Sequence, residues 1–162
     1  MIHPTWELKL DTGALILTPC PGTKIVSLIE SLQQLKAQGV SAVVTALSIE
    51  EMQQKGVDDL SKQVEALGMK WYHAPIEDDQ APDASFMQQW SALSQALHQH
   101  IDKGEKVAMH CMGGSGRTGL LAAHFLLEKD WPLDLIIEQV QALRPGAFTK
   151  PDQIEYIRAF AG

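Results

Sequence analysis

The chain has 162 residues, 13 lysines and arginines against 20 aspartates and glutamates, and a formal charge of −7. That length suits one domain with a sheet and helices on both faces, and the acidic balance argues against general binding to nucleic acid or anionic membrane, both of which need a basic footprint. Hydrophobic residues make up 45%, as in an ordinary globular protein, and two cysteines leave no disulfide framework, which suits a reducing, cytoplasmic setting.

In chain order, Trp6 to Leu10 and Ala14 to Thr18 are predicted as short strands around the turn Asp11-Thr12-Gly13. Thr23 to Gln38 carries Ile25, Leu28, Ile29, Leu32 and Leu35 at helical spacing and stops at Gly39. Val40 to Leu47 reads as a buried strand. Ser48 to Gln54 and Asp59 to Leu67 read as two modest helices, the first opened by a capping-box pattern, Ser48 and Glu51. Met69 to Ala74 is a predicted strand. Pro75 and Pro82 then bracket an irregular acidic segment containing Glu77, Asp78 and Asp79. Asp83 to Lys103 is a long helix with Phe86, Trp90, Leu93, Leu97 and Ile101 on one stripe. A short apolar strand around Val107 to Met109 follows, then helices over 117–129, 132–143 and 150–161. The first of these is apolar nearly all round, as expected of a helix buried on most sides.

Strands alternating with helices indicate an α/β fold, a mostly parallel central sheet of four to five strands with helices on both faces. Without repeats or linkers, residues 1–162 read as a single domain. The N-terminus shows no signal-peptide pattern, and the longest apolar run, Gly119 to Leu127, is too short to cross a bilayer. His98 and His100, two apart on a helix, cannot share a face and read as surface residues. No zinc or iron spacing occurs, so neither metal nor cofactor is expected. The tryptophans read as packing residues, with Trp71 or Tyr72 a candidate to border a pocket. Cys20, between Pro19 and Pro21, reads as a structural cysteine; a reversible disulfide with Cys111 is the competing role.

The most specific stretch is Lys106 to Gly119, in which Cys111 and Arg117 are separated by Met112, Gly113, Gly114, Ser115 and Gly116. A phosphate monoester is a tetrahedral dianion and needs many donors converging on one point. Glycines at 113, 114 and 116 let successive N–H groups face inward, and the following helix presents unpaired N–H groups and the positive end of its dipole. Arg117 adds a planar fork for two phosphate oxygens. The same field favours a thiolate at Cys111. His110 is placed to hydrogen-bond the loop backbone, and Thr118 to donate to the sulfur. Thiolate attack expels an oxyanion, so a proton donor is required on a loop that reaches over the phosphate. The acidic segment supplies the candidates.

His110-Cys111-Met112-Gly113-Gly114-Ser115-Gly116-Arg117-Thr118-Gly119 resembles the His-Cys-x-x-Gly-x-Gly-Arg-Ser/Thr-Gly signature of cysteine-dependent protein tyrosine and dual-specificity phosphatases. Pro21-Gly22, the loop Pro75 to Asp83 and Arg144-Pro145-Gly146-Ala147 resemble its kinase-associated phosphatase branch, so the resemblance spans nearly the whole chain. It implies a dual-specificity phosphatase fold and hydrolysis of protein phosphotyrosine, with phosphoserine and phosphothreonine as further substrates, through a cysteinyl-phosphate. Cys111 would be the nucleophile and Arg117 the clamp. Residues Met112 to Arg117 would bind phosphate, and His110 and Thr118 would support the loop. Asp78 aligns with the family's general acid, with Asp79 the alternative. Gln153 follows the Arg144 turn at a spacing similar to that of the family's water-placing glutamine, although an ordinary helix residue reads as well. Arg144 is expected to support the loop from behind. The implied partners are a phosphoprotein substrate and a kinase, with a monomeric chain. Competing readings are a phosphoinositide phosphatase, disfavoured because Met112 and Ser115 bring no charge, an RNA 5′-phosphatase, and a catalytically weak phosphoprotein-binding module.

Overall fold

The computed structural model describes residues 2–162. Five strands, β1 (Trp6–Lys9), β2 (Ala14–Thr18), β3 (Val40–Thr45), β4 (Lys70–His73) and β5 (Lys106–His110), form one sheet in the order β1-β2-β5-β3-β4. Only β1 and β2, joined by a tight turn, pair antiparallel; the other pairings are parallel. The register brings Thr18, Thr45 and His110 side by side, with His73 opposite Thr45. The carboxyl ends of four strands thus form one rim, where an open α/β sheet places its ligand.

Seven helices cover the sheet: α1 (Leu28–Ala37), α2 (Ile49–Gln54), α3 (Leu60–Ala66), α4 (Ala84–Asp102), α5 (Gly116–Glu128), α6 (Leu133–Leu143) and α7 (Pro151–Ala161). The predicted elements are all present, most shifted by one or two residues. The exception is α1, which starts at Leu28 rather than Thr23. The Ser27 hydroxyl accepts from the Glu30 amide and sets the first turn there, leaving Ile25 78% exposed and off the buried stripe. The capping box at α2 is present, with Ser48 and Glu51 each satisfying the other's amide.

Helix α5 is the centre of the molecule, buried without a break from Arg117 to Leu126. Its His124 is buried too, among Phe86, Trp90, Tyr156 and Phe160, and contacts the Tyr156 hydroxyl at 2.9 Å. Burial pushes its pKa down to about 4, so the neutral ring ties α5 to α4 and α7. The two histidines of α4 are corrected from surface residues to half-buried ones. His98 stacks on Phe125 and contacts Glu128, while His100 reaches Ser41, Glu105 and Tyr72. They do point to different neighbours, but long neighbouring side chains cover both. Among the described residues no helix is long and apolar enough to cross a membrane.

Candidate active site

A cavity of about 400 Å³ opens at the sheet's carboxyl rim, lined by Cys111, Met112, Gly113, Ser115, Gly116 and Arg117 from the loop, Asp78 and Asp79 from the acidic segment, and Lys150 and Gln153 from the far side. A larger cavity of about 610 Å³ lies at the opposite end of the sheet, around Lys9, Asp11, His98 and Glu128, and has no comparable loop. The chemistry of the first, not its size, singles it out.

The cradle is explained by where its carbonyls go. The His110 carbonyl accepts from the Ala46 amide at 3.0 Å, that of Cys111 from His110 Nδ1 at 3.1 Å, and that of Met112 from the Cys20 amide at 3.0 Å. The carbonyls of Gly113 and Gly114 accept from Arg144 at 2.8 and 3.0 Å, and that of Ser115 from the Gly119 amide at 2.7 Å. All six oxygens from 110 to 115 are therefore bound to neighbours around the loop, which leaves the loop amides, apart from that of Gly114, for an anion. Arg144 is held in turn over the Trp6 ring, 3.8 Å from its centroid. It contacts carbonyls and does not line the cavity.

The glycines differ in what they do. Gly114 has φ +82°, and a Cβ there would lie 2.7 Å from the Pro19 nitrogen and the Thr18 carbonyl carbon. No other residue fits without moving backbone. At Gly116 a Cβ would meet Gln153 Oε1 at 3.2 Å, whereas at Gly113 it would meet open space.

Cys111 is 3% exposed, and its sulfur accepts from the Gly114 amide at 3.3 Å and the Thr118 hydroxyl at 3.1 Å. Arg117, 2% exposed, is gripped by a residue that sequence reasoning placed only as a helix cap. Its NH1 donates to both Glu51 oxygens, at 2.9 and 3.0 Å, and to the Ile76 carbonyl at 3.1 Å. Burial alone would raise the Glu51 carboxyl, but hydrogen bonds from Arg117 and the Ser48 amide outweigh it and hold it below the usual carboxylate range. The guanidinium is held above its ordinary range: burial opposes this, and Glu51 and the charge on Cys111 overcome it. With NH1 fully engaged, Arg117 keeps its other nitrogens for a ligand; NH2 lies 3.5 Å from Asp78 Oδ1.

The acidic segment closes over the loop from three points. Asp78 faces Arg117, Asp79 (φ +59°) faces Lys150 Nζ at 3.6 Å, and the Gln80 carbonyl accepts from Gln153 Nε2 at 3.3 Å. Gln153 is 1% exposed and its Oε1 has no hydrogen-bond partner among the described residues. The structure thus brings Cys111, Arg117, Asp78, His110, Thr118 and Gln153 into one neighbourhood. Neither Trp71 nor Tyr72 lines the cavity, correcting that expectation: the Trp71 indole N–H donates to Thr45 at 2.8 Å, and the Tyr72 hydroxyl reaches His100. Cys20 is buried and free, and burial pushes its thiol up to about 12. Glu51 and Thr45 carried no motif of their own; only the capping box touched one of them.

A family model described as polymorphic toxin system, DSP-PTPase phosphatase matches residues 21–130. The tyrosine-protein phosphatase CDC14 of Saccharomyces cerevisiae is 30% identical over 93 residues, which is 57% of this chain and 16% of that protein. Cyclin-dependent kinase inhibitor 3 of Homo sapiens is 28% identical over 170 residues, 98% of this chain and 78% of that protein. The chain spans only 14–17% of the fungal CDC14 relatives' length and 53% of the rat kinase inhibitor 3 it matches. Among solved structures, kinase associated phosphatase carrying a serine in place of its catalytic cysteine superposes with a TM-score of 0.87 at 23% identity, covering 99% of this chain and 94% of that one. That likeness establishes the fold as the dual-specificity phosphatase α/β fold.

Proposed function

The chain belongs to the DSP-PTPase phosphatase family, and from that premise we propose that it is an enzyme of the tyrosine and dual-specificity phosphatase type that hydrolyses phosphomonoesters on proteins through a phosphocysteine at Cys111. The observation that carries this reading is the sulfur itself, buried at the floor of the cavity and receiving two hydrogen bonds beneath an arginine that is positioned in advance.

In the proposed sequence the substrate dianion enters the cradle of residues Met112 to Arg117, and Arg117 takes two of its oxygens. Cys111 Sγ forms a bond to phosphorus while the ester oxygen departs, and the Asp78 carboxyl passes its proton to that oxygen. A phosphoryl dianion at Arg117 displaces the Asp78 carboxylate from NH2, and Asp78, once released, takes up a proton from solvent that it then passes to the leaving oxygen. In the second half, water attacks phosphorus, Asp78 takes its proton, and the sulfur leaves as thiolate. Gln153 suits the placing of that water because its Oε1, unpartnered among the described residues, is free to accept a hydrogen bond at the loop's edge. His110 and Thr118 support the loop and the sulfur.

Residues 1–162 are taken as one phosphatase domain, monomeric, acting in the cytoplasm. Phosphotyrosine is the primary substrate, with phosphoserine and phosphothreonine also admitted. A kinase partner is proposed from the kinase-linked names of the human and rat relatives. A panel of three phosphopeptides, with a phosphoinositide and a 5′-phosphorylated RNA alongside, tests the substrate class; preference for either non-protein substrate would overturn it.

Asp78→Asn tests the acid. Its kcat is expected to fall on the order of 10²-fold or more on phosphoserine peptide, whose leaving group needs the proton, and much less on p-nitrophenyl phosphate. Equal losses on both substrates would move the role to Asp79.

A further inference from the structure

Buried Thr45 and His110 and half-buried Trp71, behind the loop, form a chain of hydrogen bonds that no step above uses. Trp71 Nε1 lies 2.8 Å from Thr45 Oγ1, Thr45 Oγ1 lies 2.7 Å from His110 Nε2, and His110 Nδ1 lies 3.1 Å from the Cys111 carbonyl. They stand on β4, β3 and β5, which are adjacent in the sheet, so the chain runs from Trp71 within β4 to Thr45 and His110 at the carboxyl ends of β3 and β5.

The position of every proton follows by elimination. A carbonyl only accepts, so His110 Nδ1 carries the hydrogen directed at Cys111. The ring is fully buried, with His3, Arg117 and His73 as its charged or titratable neighbours, and burial pushes its pKa down to about 4. It is therefore neutral, and Nε2 is bare. A bare Nε2 needs a donor, and among the described residues Thr45 is the only group at that atom. An indole N–H only donates, so Trp71 fills a lone pair of the Thr45 oxygen and turns the hydroxyl hydrogen toward His110. Trp71 is held by the stacked His73 ring, 5.0 Å away, whose Nε2 contacts the Leu47 carbonyl at 2.6 Å.

We propose that Thr45, oriented by Trp71, is a positioning residue that locks His110 in its Nδ1–H form and so holds the Cys111 carbonyl out of the anion cradle. This rests on the catalytic reading of Cys111. With the opposite tautomer, two acceptors would face each other at Nδ1 and the Cys111 carbonyl. The peptide would then rotate toward the cavity and point an oxygen at the phosphate.

The test is nitrogen-15 NMR of the His110 ring, combined with kinetics on p-nitrophenyl phosphate. In the unsubstituted protein Nδ1 is expected to be protonated and Nε2 bare. Thr45→Val, which keeps the shape and removes the hydroxyl, should shift the Nε2 signal or populate the other tautomer, and lower kcat/KM on the order of tenfold, the size of one lost buried hydrogen bond. Thr45→Ser should restore both. Trp71→Phe, at a half-buried position, serves if the valine variant does not fold, and should weaken the signature with a smaller loss. A protonated Nε2 in the unsubstituted protein, or Thr45→Val or Trp71→Phe with an unchanged ring signature and unchanged kcat/KM, would overturn the proposal. Failure of the catalytic reading appears separately, as undiminished hydrolysis by Cys111→Ser while the His110 signature stays as described.

Discussion

Cys111→Ser is expected to lose on the order of 10⁴-fold or more in kcat on p-nitrophenyl phosphate while remaining folded, the scale on which removal of a covalent nucleophile acts. The physical reason lies in the donors around the sulfur. The Gly114 amide and the Thr118 hydroxyl donate to the sulfur that attacks phosphorus, and sulfur is intrinsically the stronger nucleophile than a serine oxygen in the same place. A hydroxyl at the same place is a neutral group in an anion cradle, so phosphate should still bind. Inorganic phosphate or vanadate affinity within a few-fold of the unsubstituted protein would show that the cradle is intact. Retained turnover would mean that another group attacks phosphorus.

Arg117→Lys is the second large effect, expected to lower kcat/KM on the order of 10³-fold, as when a preorganised donor to a developing oxyanion is removed. Charge is conserved, so only geometry is lost. Arg117 uses NH1 on both oxygens of Glu51 and on the Ile76 carbonyl, and keeps its remaining nitrogens for the ligand. A lysine has one nitrogen on a flexible stem and cannot serve Glu51 and a phosphate together. Glu51→Gln leaves the arginine in place but without its charged partner, and a smaller loss, about tenfold, is expected. A lysine variant within tenfold of the unsubstituted enzyme would show that Arg117 acts as a simple point charge.

The loop was legible because its chemistry is local: nucleophile, glycines and arginine lie within one turn of chain, and Cys111, Gly114, Arg117 and Thr118 meet where their spacing indicated. The long helices were legible from their stripes. What sequence did not give was anything that depends on tertiary approach. Glu51 announced itself only as a cap, because the carboxylate that closes the turn at Ser48 also reaches Arg117, 66 residues away. Thr45 and Trp71 read as ordinary strand residues, and their link to His110 exists only because β4, β3 and β5 pair side by side in the sheet. Ile25 fitted a helical stripe, yet the cap at Ser27 prevailed over hydrophobic periodicity. His98 and His100 were read as exposed because the side chains that cover them come from distant segments.

The central claim is that phosphorus passes through the sulfur of Cys111. Rapid mixing with p-nitrophenyl phosphate, acid quenching and peptide mass analysis address it directly. A phosphoryl group on the peptide containing Cys111, formed as fast as the first turnover and absent from Cys111→Ser, is the predicted result. Steady turnover with no covalent phosphoryl on the protein, or with the group on any other residue, would contradict it.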